Sequence, residues 1–122
     1  WLKVFPDDER LNTMYTKLLF EDYCLGQYKD GLPIVTQQCI DFLNRVTQGG
    51  NKITDVRDYI LAARILFWIS NGDVAMENQA IEMLEEQRIK HPKAWSCDFY
   101  LASFYASKKD FEESIKFIKN FS

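Results

Sequence analysis

Little in this sequence favours tight turns, metal binding or a membrane span. Five glycines and three prolines in 122 residues are too few for the closely spaced turns of an all-β domain. One histidine, His91, leaves no partner for paired acid–base work or for a His-rich metal site, and no cofactor is expected. The longest nearly uncharged apolar stretch, Ile65 to Ser70, is far short of the ~20 residues a membrane helix needs. No direct membrane insertion is expected, and Leu2-Lys3-Val4-Phe5 does not read as a signal peptide. Three scattered cysteines, Cys24, Cys39 and Cys97, form neither a CxxC pair nor a disulfide framework. They point to a reducing compartment, hence the cytoplasm or the cytosolic face of an organelle. An excess of positive charge is missing too. Fifteen Lys+Arg against 18 Asp+Glu leave a net charge of −3, which argues against gripping nucleic-acid phosphates.

The sequence is rich in apolar and aromatic residues, at 47% and 15%, enough to pack the interior of one domain. Apolar positions recur at the helical period nearly throughout. Pro6-Asp7-Asp8-Glu9 reads as a helix start, followed by the stripe Leu11, Tyr15, Leu18, Leu19 and Tyr23. Gly26 ends it, and a second stripe runs Leu32, Val35, Cys39, Phe42, Leu43 and Val46, with Pro33 in the first turn. After the Gly49-Gly50 loop, Thr54 or Asp55 caps a third helix whose apolar face is broad enough to be covered on two sides. Met76, Ala80, Met83, Leu84 and Gln87 mark the fourth, ended by His91-Pro92. Trp95, Phe99, Ala102 and Tyr105 mark the fifth. Phe111, Ser114, Ile115, Ile118 and Phe121 mark the sixth. The expected fold class is all-α. A start without Met and an end inside a helical pattern read as a piece of a longer chain.

Gly26-Gln27-Tyr28-Lys29-Asp30-Gly31-Leu32 and Lys109-Asp110-Phe111-Glu112-Glu113-Ser114-Ile115 share an order: turn residue, polar, aromatic, two polar, small, aliphatic. With Leu101-Ala102-Ser103-Phe104-Tyr105 before the second of them, the chain resembles the tetratricopeptide repeat family of helix–turn–helix units. That resemblance implies three antiparallel hairpins, about 8–47, 54–91 and 93–121, stacked as a right-handed superhelix in a single domain. It further implies that Gly31, Ala80 and Ser114 let paired helices approach closely, and that Tyr28 and Phe111 wedge between hairpins. The first helices of the hairpins would line a concave groove holding Thr16, Phe20, Tyr23, Tyr59, Ala62, Leu66, Phe99, Ser103 and Ala106. Chaperone-binding members of the family carry a Lys, Asn and Arg clamp for a terminal carboxylate. Thr16, Phe20, Phe99 and Ser103 stand at the matching places, so that clamp is absent here.

No phosphate loop, HExxH or nucleophile elbow is present. Glu77, Glu82, Glu85 and Glu86 read as a solvated helix face rather than as paired catalytic carboxylates. The expectation is therefore a non-catalytic adaptor or scaffold binding an amphipathic helix or extended peptide of another protein in an apolar, aromatic groove. Thr16, Phe20, Tyr23, Tyr59, Leu66, Phe99 and Ser103 are its expected binding residues, with a further contact through Phe117, Ile118 and Phe121 of the last helix. A permanently assembled subunit of a larger complex is the alternative. An RNA-binding helical repeat ranks below it because the first helices lack a Lys/Arg stripe.

Overall fold

The structure, a computed structural model, describes residues 8–48 and 55–119. Six helices carry the fold: α1 (Glu9–Leu19), α2 (Gln37–Gln48), α3 (Val56–Ser70), α4 (Val74–Lys90), α5 (Trp95–Ser107) and α6 (Phe111–Ile118). Helical periodicity thus leads to the right class, all-α. Aspartates start four of the helices by accepting from exposed backbone N–H groups: Asp8 for α1, Asp55 for α3, Asp73 for α4 and Asp110 for α6. The α3–α4 connection turns within two residues, Asn71 (φ 46°) and Gly72 (φ 92°), both in the left-handed region.

Consecutive helices pack on one another, most extensively α3 with α4 and α5 with α6, and α3 also meets α5. α3 is the central element, as its broad apolar face leads one to expect. Ala62, Ala63 and Ile65 are wholly buried, and Phe67 stacks on Phe104 of α5 with ring centroids 4.2 Å apart. Cys39, Phe42 and Val46 of α2 and Ala80 and Leu84 of α4 complete the core. Ala80 is wholly buried on α4. On α6 the buried Ser114 hydroxyl donates to the Ala102 carbonyl of α5 at 2.8 Å.

The first connection differs from expectation. α1 runs into a π-helical turn, Phe20–Cys24, in which the Leu25 N–H donates to the Phe20 carbonyl at 2.8 Å. A small antiparallel ladder follows, Tyr28–Lys29 (β1) against Leu32–Pro33 (β2). The second helix therefore starts at Gln37, and Leu32 lies in the ladder rather than on a helix. Asp30 (φ 55°) and Gly31 (φ 78°) form the two-residue turn between the strands. Positive φ at both central residues is what the twist of a tight hairpin requires, and Asp-Gly supplies it. Gly31 is thus a turn residue and not a helix-contact residue. Tyr28 lies across Trp68, ring centroids 5.2 Å apart, while the Trp68 indole donates to the Ile34 carbonyl at 2.8 Å.

Three helices are rotated from their expected faces. On α1 the buried residues are Thr16, then Phe20 and Cys24 in the π turn, leaving Leu11, Met14 and Leu18 exposed. Thr16 tolerates burial because its hydroxyl donates to the Asn12 carbonyl at 2.7 Å and accepts from the Gln38 amide at 2.9 Å. On α5, Cys97, Leu101 and Phe104 face inward, and Trp95 and Phe99 face out. On α6, Phe117 stacks on Tyr105 at 5.7 Å, while Phe111, Ile115 and Ile118 are exposed. Phe117 is thus partly covered by the fold. Phe121 lies outside the described residues, as do Gly49 and Gly50.

Candidate binding cleft

A cleft of about 680 Å³ opens where α1, α3 and α5 meet. Its wall on α1 is formed by Arg10, Thr13, Met14 and Lys17, with Glu9 at the edge. Those four residues stand at i, i+3, i+4 and i+7, which places them on one face of the helix. α3 contributes the same pattern, Arg57, Ile60, Leu61 and Arg64. Each of the two helices therefore lends a rib with a cation at either end and less polar residues between. Ser96 and Tyr100 of α5, one turn apart, close the third side without charge.

The charges in the cleft are unevenly committed. Asp55 caps α3 and pairs with Arg57 at 2.8 Å, and the Arg57 guanidinium holds its carboxyl below the usual carboxylate range. Asp58 is buried in the cleft wall and accepts from the Thr13 hydroxyl at 2.9 Å. Burial raises its pKa, and the neighbouring Asp55 charge adds to that, against the opposing effects of the Thr13 bond and of Arg45. Arg64 is ion-paired to Glu21 at 2.9 Å and lies over the Tyr100 ring at 4.5 Å and the Phe20 ring at 5.3 Å. Arg10 and Lys17 are exposed, and among the described residues neither has an ion-pair partner.

None of the seven expected groove residues lines this cleft. Thr16, Phe20 and Leu66 are buried and offer a partner no surface, which corrects their assignment. Ala62 is buried with them. Tyr59 is half-buried against the core. Tyr23 is 67% exposed, whereas Phe20 and Cys24 of the same π turn are buried. Phe99 and Ser103 are exposed on α5 beside the cleft, with Phe99 touching Tyr100 edge-on at 5.0 Å. The displacement has a simple cause. The cleft lies one residue further round each helix, at Lys17 next to the buried Thr16 and at Tyr100 next to the exposed Phe99. One residue is about 100° of helix. The signal available in the sequence was the seven-residue spacing of cations, Arg10 with Lys17 and Arg57 with Arg64.

Other groups are placed for structure. Burial pushes the Cys39 and Cys97 thiols up to about 11, so both are protonated at neutral pH. His91 is the C-cap residue of α4, its N–H donating to the Gln87 carbonyl at 2.8 Å. Arg88 ties α4 to Asp98 of α5 beneath the Phe117 ring. Among the described residues no three His, Cys, Asp or Glu side chains gather to hold a metal, and no helix is long and apolar enough to cross a membrane. Comparison with protein-family models, with curated proteins and with solved structures finds no match to this chain.

Proposed function

We propose that this chain is a non-catalytic, tetratricopeptide-like array of three helical hairpins that holds a segment of another protein in the cleft among α1, α3 and α5. The observation that carries the reading is the cleft itself. Three helices from distant parts of the chain converge on it, with Met14 and Tyr100 exposing apolar surface above the buried Ile60 and Leu61. Concave sites of mixed apolar and charged lining between helices are where partner segments dock. The groove is thus amphipathic rather than the oily trough that the sequence suggests. Three free, buried cysteines fit work in a reducing compartment, the cytoplasm or a cytosol-facing surface.

Selection of a random peptide library on the folded chain tests this. The enriched peptides should lose binding to Met14→Glu and keep it with Ile89→Glu, an exposed position on α4 outside the cleft. Peptides indifferent to Met14→Glu would remove the cleft as the docking site. The alternative, a subunit built permanently into a complex, is favoured by one observation. Phe111, Ile115 and Ile118 form an exposed apolar stripe on the outer face of α6.

A further inference from the structure

We infer that the cleft's occupant is an acidic amphipathic helix, with carboxylates one heptad apart that reach Arg10 and Lys17 and an apolar residue between them that enters beside Met14 and Tyr100. This rests on the docking reading above and adds the chemistry of the partner. The cleft is lined by four cations, Arg10, Lys17, Arg57 and Arg64, against three carboxylates, Glu9, Asp55 and Asp58, and among the described residues Arg10 and Lys17 have no ion-pair partner. Two of the three carboxylates are engaged within the fold. Asp55 is spent on the α3 cap and on Arg57, and Asp58 is buried and accepts from Thr13. Glu9 alone faces the opening uncommitted, in the first turn of α1 where the helix dipole favours it.

Geometry supplies the spacing. Arg10 and Lys17 are seven residues apart on one helical face, so they stand about 10 Å apart along the axis. A helix laid alongside presents side chains at the same interval only at i and i+7. Its intervening i+3 or i+4 residue then falls opposite Met14, the apolar midpoint of the α1 rib. Arg57 stays with Asp55, whose carboxylate it neutralises, so the contact to a partner falls to Arg10 and Lys17. Arg64 is likewise held, by Glu21 and by two aromatic rings.

The test uses three fluorescein-labelled synthetic helical peptides: one with Glu at i and i+7 and Leu at i+3 and i+4, a copy with Lys for Glu, and a copy broken by a central proline. Anisotropy titration should show the Glu peptide binding at least tenfold more tightly than either copy, and weakening as salt is raised. Arg10→Glu with Lys17→Glu, both at exposed positions, should reverse the preference so that the Lys peptide binds better. Circular dichroism melting confirms that the variant is folded. Equal binding of the Glu and Lys peptides, both lost with Met14→Glu, would overturn the acidic occupant and leave the cleft reading standing. Equal binding of the proline copy would overturn the helical one. A Glu peptide that binds but ignores both the Arg10/Lys17 reversal and Met14→Glu would overturn this inference and the cleft reading together. No binding of any peptide would overturn the inference alone, since the library selection judges the cleft separately.

Discussion

Replacing Phe20 with alanine gives the sharpest test of how α1 is seated. The ring has no exposed surface, sits in the π turn beside Cys24, and has the Arg64 guanidinium 5.3 Å from its centroid. A buried phenylalanine withdraws ~200 Å² of apolar surface from water, or ~5 kcal/mol at 25 cal/mol per Å². Alanine keeps a small part of this, and partial collapse of the site recovers more, so the expected loss is about 3–5 kcal/mol. Against a total stability of ~5–15 kcal/mol for a domain, that is a large fraction. Urea denaturation followed by circular dichroism should show the midpoint falling steeply with little change in slope. The melting temperature should fall by roughly 10–20 °C. Phe99→Ala, at a ring 47% exposed, should cost only about 1 kcal/mol or less in the same assay. A Phe20→Ala loss below ~1 kcal/mol would put that ring at the surface. It would restore Phe20 as a groove residue and refute the seating of α1.

Asp58→Asn should stabilise the protein at neutral pH. A carboxyl with a raised folded pKa takes up its proton more readily folded than unfolded, so its contribution to stability falls as pH climbs from the ordinary 3.8 through the folded value. The advantage of the variant, read from urea titrations at pH 7 and pH 3, should therefore shrink on acidification, and a constant gap would contradict the burial argument. Asp73→Ala removes the side chain that accepts from the Met76 N–H at 3.1 Å and should cost about 1 kcal/mol. Gly72→Ala forces a side chain into φ 92° and should cost at least as much, with a neutral result excluding the left-handed turn. Cys39 and Cys97, raised to about 11, should resist thiol reagents in the native protein at pH 7.5 and react on unfolding. Fast native labelling would contradict their placement.

Local rules made the class and most helix boundaries readable. Asp8, Asp73 and Gly72 act where residue type and position place them, and the stripes of α2 and α4 bury Cys39, Phe42, Ala80 and Leu84 as their spacing implies. The misread region, Leu19 to Thr36, held its own warning. Asp30-Gly31 is a tight-hairpin signal, and reading it would have moved the second helix start from Leu32 to Gln37. The rotation of α1 was harder to see, because the helix carries two apolar faces. The buried one includes a threonine whose hydroxyl donates within the helix to Asn12 but gains a donor of its own only once Gln38 of α2 arrives. The π turn leaves no comparable mark in Phe20-Glu21-Asp22-Tyr23-Cys24. The cleft went unread for a related reason, since its walls combine Arg10, Lys17 and Arg57 with Met14 and Tyr100, and apolar spacing alone does not mark such a face.

Amide chemical-shift mapping, with the tightest library-selected peptide titrated into the isotopically labelled chain, is the most direct measurement of where a partner sits. The largest shifts should fall on Thr13, Met14 and Lys17 of α1, Arg57 and Leu61 of α3, and Ser96 and Tyr100 of α5, with α6 silent. Shifts gathered instead on Phe111, Ile115 and Ile118 would contradict this and move the binding face to the outer side of α6.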